Sequence, residues 1–176
     1  MAVKKNAGEQ ESDMQMRISG LISQIRCRDT QECLEDASTQ LLAIGSPAVP
    51  ALLEAVRLEK GEARLEMAKL LRRLADPSVA GALVELLSDA DFDVRWEAVE
   101  GLSTLGYDGL SPLVSAIIQN PGSMKLRNGA HHILHHIASQ GYYTLLKPLM
   151  LAIEGAIPNV EVPAAARKLQ SELART

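Results

Sequence analysis

The chain repeats itself at a nearly constant interval. Apolar Ile44, Leu74, Leu105 and Ile137 stand 30, 31 and 32 residues apart. Three positions before each come Leu41, Leu71, Leu102 and Leu134, and seven before come Ala37, Met67, Ala98 and Ala130. Nine positions after stand Leu53, Leu83, Val114 and Leu146, and twelve after, Val56, Leu86, Ile117 and Leu149. A period of this size describes supersecondary units that cannot bury their apolar faces alone and must stack on one another.

Within a unit the intervals are helical. The first segment carries apolar residues eleven, seven, three and zero positions before the anchor, as in Val94, Ala98, Leu102 and Leu105, which is the stripe of an amphipathic α-helix. The second segment of that unit reads Leu110, Leu113, Val114 and Ile117. Between them Gly45-Ser46-Pro47, Ala75-Asp76-Pro77 and Gly106-Tyr107-Asp108-Gly109 break one helix and start the next. Such short turns require antiparallel helices. No segment alternates over more than a few residues, so strands find no support.

The pattern predicts helices over 13–26, 31–44, 47–58, 62–75, 77–88, 91–105, 109–119, 123–138, 141–154 and 162–174. The expected fold is an all-α superhelix of about four helical hairpins with single helices at the ends as caps. Residues 1–12 are polar and are expected to form a disordered tail, with 13–176 as one domain. Pro148 falls inside a predicted helix and removes a backbone donor, which predicts a kink there.

Composition narrows the function classes. Aromatic residues make up only 3% of the 176 positions, which suits thin helices packed closely through Ala and Leu. The net charge of −4 provides no basic footprint for nucleic acid or anionic lipid. No apolar run of 18 residues occurs, and the polar first ten residues hold no leader-like core. Cys27 and Cys33, six apart with no secretory signal, are expected to be reduced. These readings together point to a cytoplasmic protein that binds neither membrane nor nucleic acid.

The third unit, from Leu87-Ser88-Asp89-Ala90-Asp91 through Val94-Arg95-Trp96-Glu97-Ala98 to Leu105-Gly106, resembles the HEAT-like repeat family. So does Leu41-Leu42-Ala43-Ile44-Gly45-Ser46-Pro47-Ala48-Val49-Pro50 in the first unit. The similarity is to the short bacterial type also found in phycobilin lyases, and it covers about residues 31–154. The recurrent arginine of that family, ten before the anchor, stands here as Arg64, Arg95 and Arg127, with Leu34 in the first unit. The resemblance implies an α-solenoid akin to armadillo arrays whose second helices line a concave face.

On those second helices the face opposite the core holds Ala51, Gly81, Pro112 and Thr144, then Glu54, Val84, Ser115 and Lys147. A stripe of such small side chains fits a groove for a partner peptide or helix, and equally fits tight curvature. Trp96, the only tryptophan, points away from the core stripe, and Leu65 precedes it by one repeat in the same column. The two are expected as an outer contact patch, or Trp96 folds back over its neighbour.

All four histidines, His131, His132, His135 and His136, lie on one predicted helix as two pairs four residues apart. That spacing can present two imidazoles to one metal, but no acid or cysteine lies close by in the sequence to complete a site. The HEAT-repeat deoxyhypusine hydroxylases use His-Glu pairs at this place in several repeats. Here the matching positions elsewhere are Ala68-Lys69 and Val99-Glu100. Solvated flank histidines, with no metal, are therefore the expectation. Asp89, Asp91 and Asp93 imitate a calcium loop, but Val94 stands where the sharp turn needs Gly, so helix capping explains them. Arg64, Arg95 and Arg127 are expected to form a ladder paired with acids such as Asp93 and Glu62.

The reading is a non-catalytic protein-interaction module, adaptor or regulatory subunit, with another protein as partner and no cofactor. A chromophore-handling lyase-like protein or metal-binding enzyme subunit is the alternative; the former needs a reactive thiol in a pocket, and neither Cys33, expected to be buried on the core stripe, nor Cys27, at a helix end, favours it. Partner identity and oligomeric state are not encoded in any motif.

Overall fold

A computed structural model describes residues 7–27, 30–155 and 158–175. Their helices are α1 (Ala7–Cys27), α2 (Gln31–Ile44), α3 (Val49–Leu58), α4 (Gly61–Leu74), α5 (Ala80–Leu86), α6 (Phe92–Leu105), α7 (Leu110–Gln119), α8 (Met124–Ile137), α9 (Tyr143–Glu154) and α10 (Pro158–Leu173). No strand occurs among the described residues, and the fold is of the all-α helical-repeat class. Backbone contacts divide the chain into two compact units, one up to Leu70 and one from Leu71. The expected tail is shorter than twelve residues. Ala7 to Ser12 already belong to α1, and residues 1–6 lie outside the described residues.

The repeat positions fill the core. Ala37, Met67, Ala98 and Ala130 are fully buried, as are Leu41, Leu71, Leu102 and Leu134. Of the anchors only Ile137 is buried; Ile44, Leu74 and Leu105 sit half-buried at helix ends. Helix ends follow local chemistry. Thr30 accepts from the Cys33 amide at the start of α2, Asp91 from Asp93 at α6, and Ser123 from Leu126 at α8. Gly45 and Gly106 terminate α2 and α6 at φ 74° and 59°, in the left-handed region that a side chain disfavours. Ala75 takes the same role at φ 49° with a side chain present. The second helices α3, α5 and α7 each follow a 3-10 turn, at Ser46–Ala48, Pro77–Val79 and Gly106–Gly109.

In the N-terminal unit α1 packs against α2 and α3. α2 is turned relative to the repeat pattern. Leu34 is buried while Cys33 is exposed, so the expectation of a buried thiol is corrected. In the C-terminal unit first helices stack, α6 on α8, and second helices stack, α5 on α7. The fourth pair departs from the pattern, because α10 packs extensively on both α7 and α9. Its buried Val162, Ala166 and Leu169 supply the apolar face for that contact. The expected end cap therefore lies beside the second helix of the third pair.

α8 and α9 are joined by a π-type turn, Ala138–Tyr142, with Gly141 at φ 107°. The helix is not broken at Pro148. α9 is helical from Tyr143 to Glu154 with Pro148 inside it. Proline leaves the carbonyl four residues earlier without its donor, and here both Pro148 and Thr144 are exposed, so water can reach that carbonyl.

Candidate functional site

Four of the eight residues expected along the inner stripe converge in the C-terminal unit. Gly81 and Val84 on α5 and Pro112 and Ser115 on α7 line one groove of about 330 Å³. Stacking of α5 on α7 sets the width, and the small side chains keep it open. Gly81 is exposed and a methyl group there would touch nothing, whereas Val84 is only 8% exposed and forms the floor. Glu85, Gln119 and Asn120 add a polar edge. Ser115 accepts a hydrogen bond from Gln170 on α10 at 3.3 Å, which ties the groove to the last helix.

Ala51 and Glu54 lie in the N-terminal unit. They line a separate hollow of about 280 Å³ between α1 and α3, with Ile22, Arg26 and Leu58. Arg26 is bridged to Glu59 at 2.6 Å beside it. Thr144 and Lys147 do not line the groove on α5 and α7. Both are exposed on α9, and the Lys147 ammonium stands 5.7 Å over the Tyr143 ring.

Trp96 folds back over the neighbouring repeat. Its indole meets the His132 ring edge-on at 5.4 Å, on the next repeat, and stacks with Phe92 at 6.5 Å. It nevertheless remains 44% exposed, beside Phe92 at 64%. Together with Leu87, Val99 and Gly129 these rings border a hollow of about 270 Å³ on α6 and α8, and Arg95 lies 5.5 Å over the Phe92 ring. Leu65 is half-buried in the N-terminal unit. Phe92 was missed by the sequence reading because its position precedes the helical stripe; its spacing of four from Trp96 was the available signal.

The histidines split into different roles. His132 supports Trp96, while His131 and His135 reach Glu154 at the end of α9, at 3.0 and 2.9 Å from the same carboxylate oxygen. Hydrogen bonds from His135 and then His131 hold the Glu154 carboxyl below its usual range. The acid that the local sequence lacked thus arrives from the following helix. Counting outward from the turn would have found it, because His131 and Glu154 stand about equally far from Tyr142 along antiparallel arms.

The repeated arginines share a bond to backbone carbonyls that the acid ladder did not include. Arg64 donates to the Val56 carbonyl at 2.9 Å, Arg95 to those of Asp89 and Ala90 at 2.9 Å, and Arg127 to that of Pro121 at 2.8 Å. Each guanidinium reaches back to carbonyls at or just beyond the end of the preceding second helix, where helical partners run out. The aspartates behave as caps: Asp89 accepts from the Asp91 amide and Asp91 from that of Asp93.

Paired helices that recur every 30 to 32 residues and bury their faces against the next pair define a helical-repeat protein. The model of HEAT repeats matches residues 49–135, just under half of the chain, running from α3 into α8. The groove residues on α5 and α7, Trp96, and both His131 and His135 fall within the matched residues. No curated protein matches the chain. Among the described residues no single helix is long and apolar enough to cross a membrane.

Proposed function

We propose that this chain is a non-catalytic protein-interaction module that seats a helix or peptide of a partner protein in the groove between α5 and α7. The groove itself carries the reading: Gly81, Val84, Pro112 and Ser115 present a shallow surface with an apolar floor and polar rim, inside the segment that matches HEAT repeats. HEAT repeats commonly serve as interaction modules. The chain also seats a helix of its own on α7, since α10 packs there and bonds to Ser115. A helix partner would use the same kind of apolar stripe, with anchors three and four residues apart.

A lyase-like role would require a thiol facing a pocket. Cys27 and Cys33 are exposed and line neither the groove nor the hollows described above. The similarity to the short repeat type of phycobilin lyases therefore extends, in this reading, to architecture alone.

Affinity capture with quantitative mass spectrometry tests the proposal. Gly81→Arg reaches over the groove from an exposed helical position where the added Cβ meets nothing within 4 Å, and circular dichroism verifies that the variant is folded. A partner enriched by the native chain is expected to fall at least tenfold with Gly81→Arg and to persist with Glu54→Gln in the N-terminal unit. Partners that bind Gly81→Arg as they bind the native chain would overturn the groove assignment.

A further inference from the structure

α8 places His131 and His135 four residues apart, so both imidazoles leave the same face of the helix. Their ring centroids are 4.4 Å apart. Glu154 comes from α9, beyond the π-type turn, and its carboxylate oxygen lies within 3.0 Å of both Nε2 atoms. The three potential ligand atoms all fall within 4.8 Å of one another. Around a tetrahedral zinc ion, with bonds of about 2.0–2.2 Å, neighbouring ligand atoms stand roughly 3.3–3.5 Å apart. The side chains are 44–47% exposed, so each has room to rotate toward that spacing.

We propose that His131, His135 and Glu154 bind one divalent first-row transition ion of the zinc type, with a fourth coordination position open to solvent. Two imidazoles with one carboxylate suit such an ion better than magnesium or calcium, which take oxygen ligands. The ion replaces the hydrogen bonds that the two rings give to the carboxylate. Because its ligands come from both arms of the α8–α9 hairpin, it clamps those arms across Gly141. The donor set is distinct from adjacent His-Glu pairs on one helix, since its carboxylate comes from the next helix, and it does not depend on the groove of α5 and α7.

Titration calorimetry of the full chain, stripped with a chelator and exchanged into a non-coordinating buffer, reads this directly. Zinc chloride is expected to bind at one ion per chain with a dissociation constant of about 100 µM or tighter. Magnesium chloride should give no binding. His135→Ala is expected to weaken zinc about 100-fold and Glu154→Gln about tenfold, while His136→Ala, outside the cluster, leaves it unchanged. Circular dichroism verifies that each variant is folded, and His131→Ala provides a second test of the imidazole pair. Zinc binding weaker than about 100 µM overturns the site. Native affinity in Glu154→Gln also overturns it, because the ion would then sit on a bare histidine pair.

Discussion

At the level of single residues, the repeat imposes one backbone demand after each first helix and meets it unevenly. Gly45 and Gly106 take left-handed backbone without penalty, but Ala75 holds φ 49° with its Cβ in place. A left-handed conformation costs an L-residue roughly 1–2 kcal/mol, and glycine returns part of that gain through its freer unfolded state. Ala75→Gly is therefore expected to stabilise the chain by about 0.5 kcal/mol, a rise of roughly 1–2 °C in melting temperature. Gly106→Ala is its counterpart and should lower stability, because φ is 59° and a methyl would also press on Gln140. The sequence made this position legible, since Gly, Ala, Gly and Ala occupy it in turn. It did not reveal that the fourth, Ala138, stays right-handed and leads into a π-type turn. The same limit applies to Gly101, where two other repeats bury Leu70 and Ile133. A Cβ there would come within 2.8 Å of Leu83, so the missing side chain admits the neighbouring helix. Period alone cannot show which column a neighbour invades.

At the level of elements, the arginines explain how one helical pair is tied to the next. Carbonyls at a helix end lack intrahelical donors, and a guanidinium offers several N–H groups in a fixed fork. Arg95 spans the Asp89 and Ala90 carbonyls from the first turn of α6 and so fixes the corner between α5 and α6. Arg95→Met keeps an apolar stem but removes both bonds. It is expected to destabilise the fold by about 1–2 kcal/mol in a denaturant melt. Both bonds leave one guanidinium nitrogen, so Arg95→Lys should recover part of this where the shorter ammonium stem reaches the same two carbonyls. If Met costs no more than a surface substitution, about 0.5 kcal/mol, the corner is held by its aspartate caps alone. The arginine column was visible in the sequence, and its registry was right. Its carbonyl partners were not foreseen, because charge is the only partner a sequence displays, whereas carbonyls at helix ends appear only once the chain has turned. Glu154 was missed for a related reason: the helical stripe says which face of α9 is buried, and only counting outward along both arms from the turn shows that its acid returns to α8.

At the level of the whole molecule, the repeat interval runs through four pairs, but within the C-terminal unit the place beside α7 goes to α10. Its stripe of Val162, Ala166 and Leu169 is short, and nothing in its spacing distinguishes an end cap from a helix that shares α7 and α9. The final prediction concerns that sharing. In a repeat array each unit borrows stability from its neighbours, so loosening one interface should be felt beyond it. Val162 is fully buried, and Val162→Asp would place a charge there with no partner supplied, costing roughly 3–5 kcal/mol by analogy with breaking a buried ion pair. Trp96, the only tryptophan, sits on α6 of the same C-terminal unit and is not part of α10's packing face, so its emission reports on the unit at a distance. With a urea slope of about 1–3 kcal/mol per molar, the midpoint read at Trp96 is expected to fall by at least about 1 M. Far-ultraviolet dichroism recorded on the same samples gives the helix content lost. A Trp96 midpoint that stays put while dichroism drops would mean that α10 peels off alone, and that α7 is held by α5 without it.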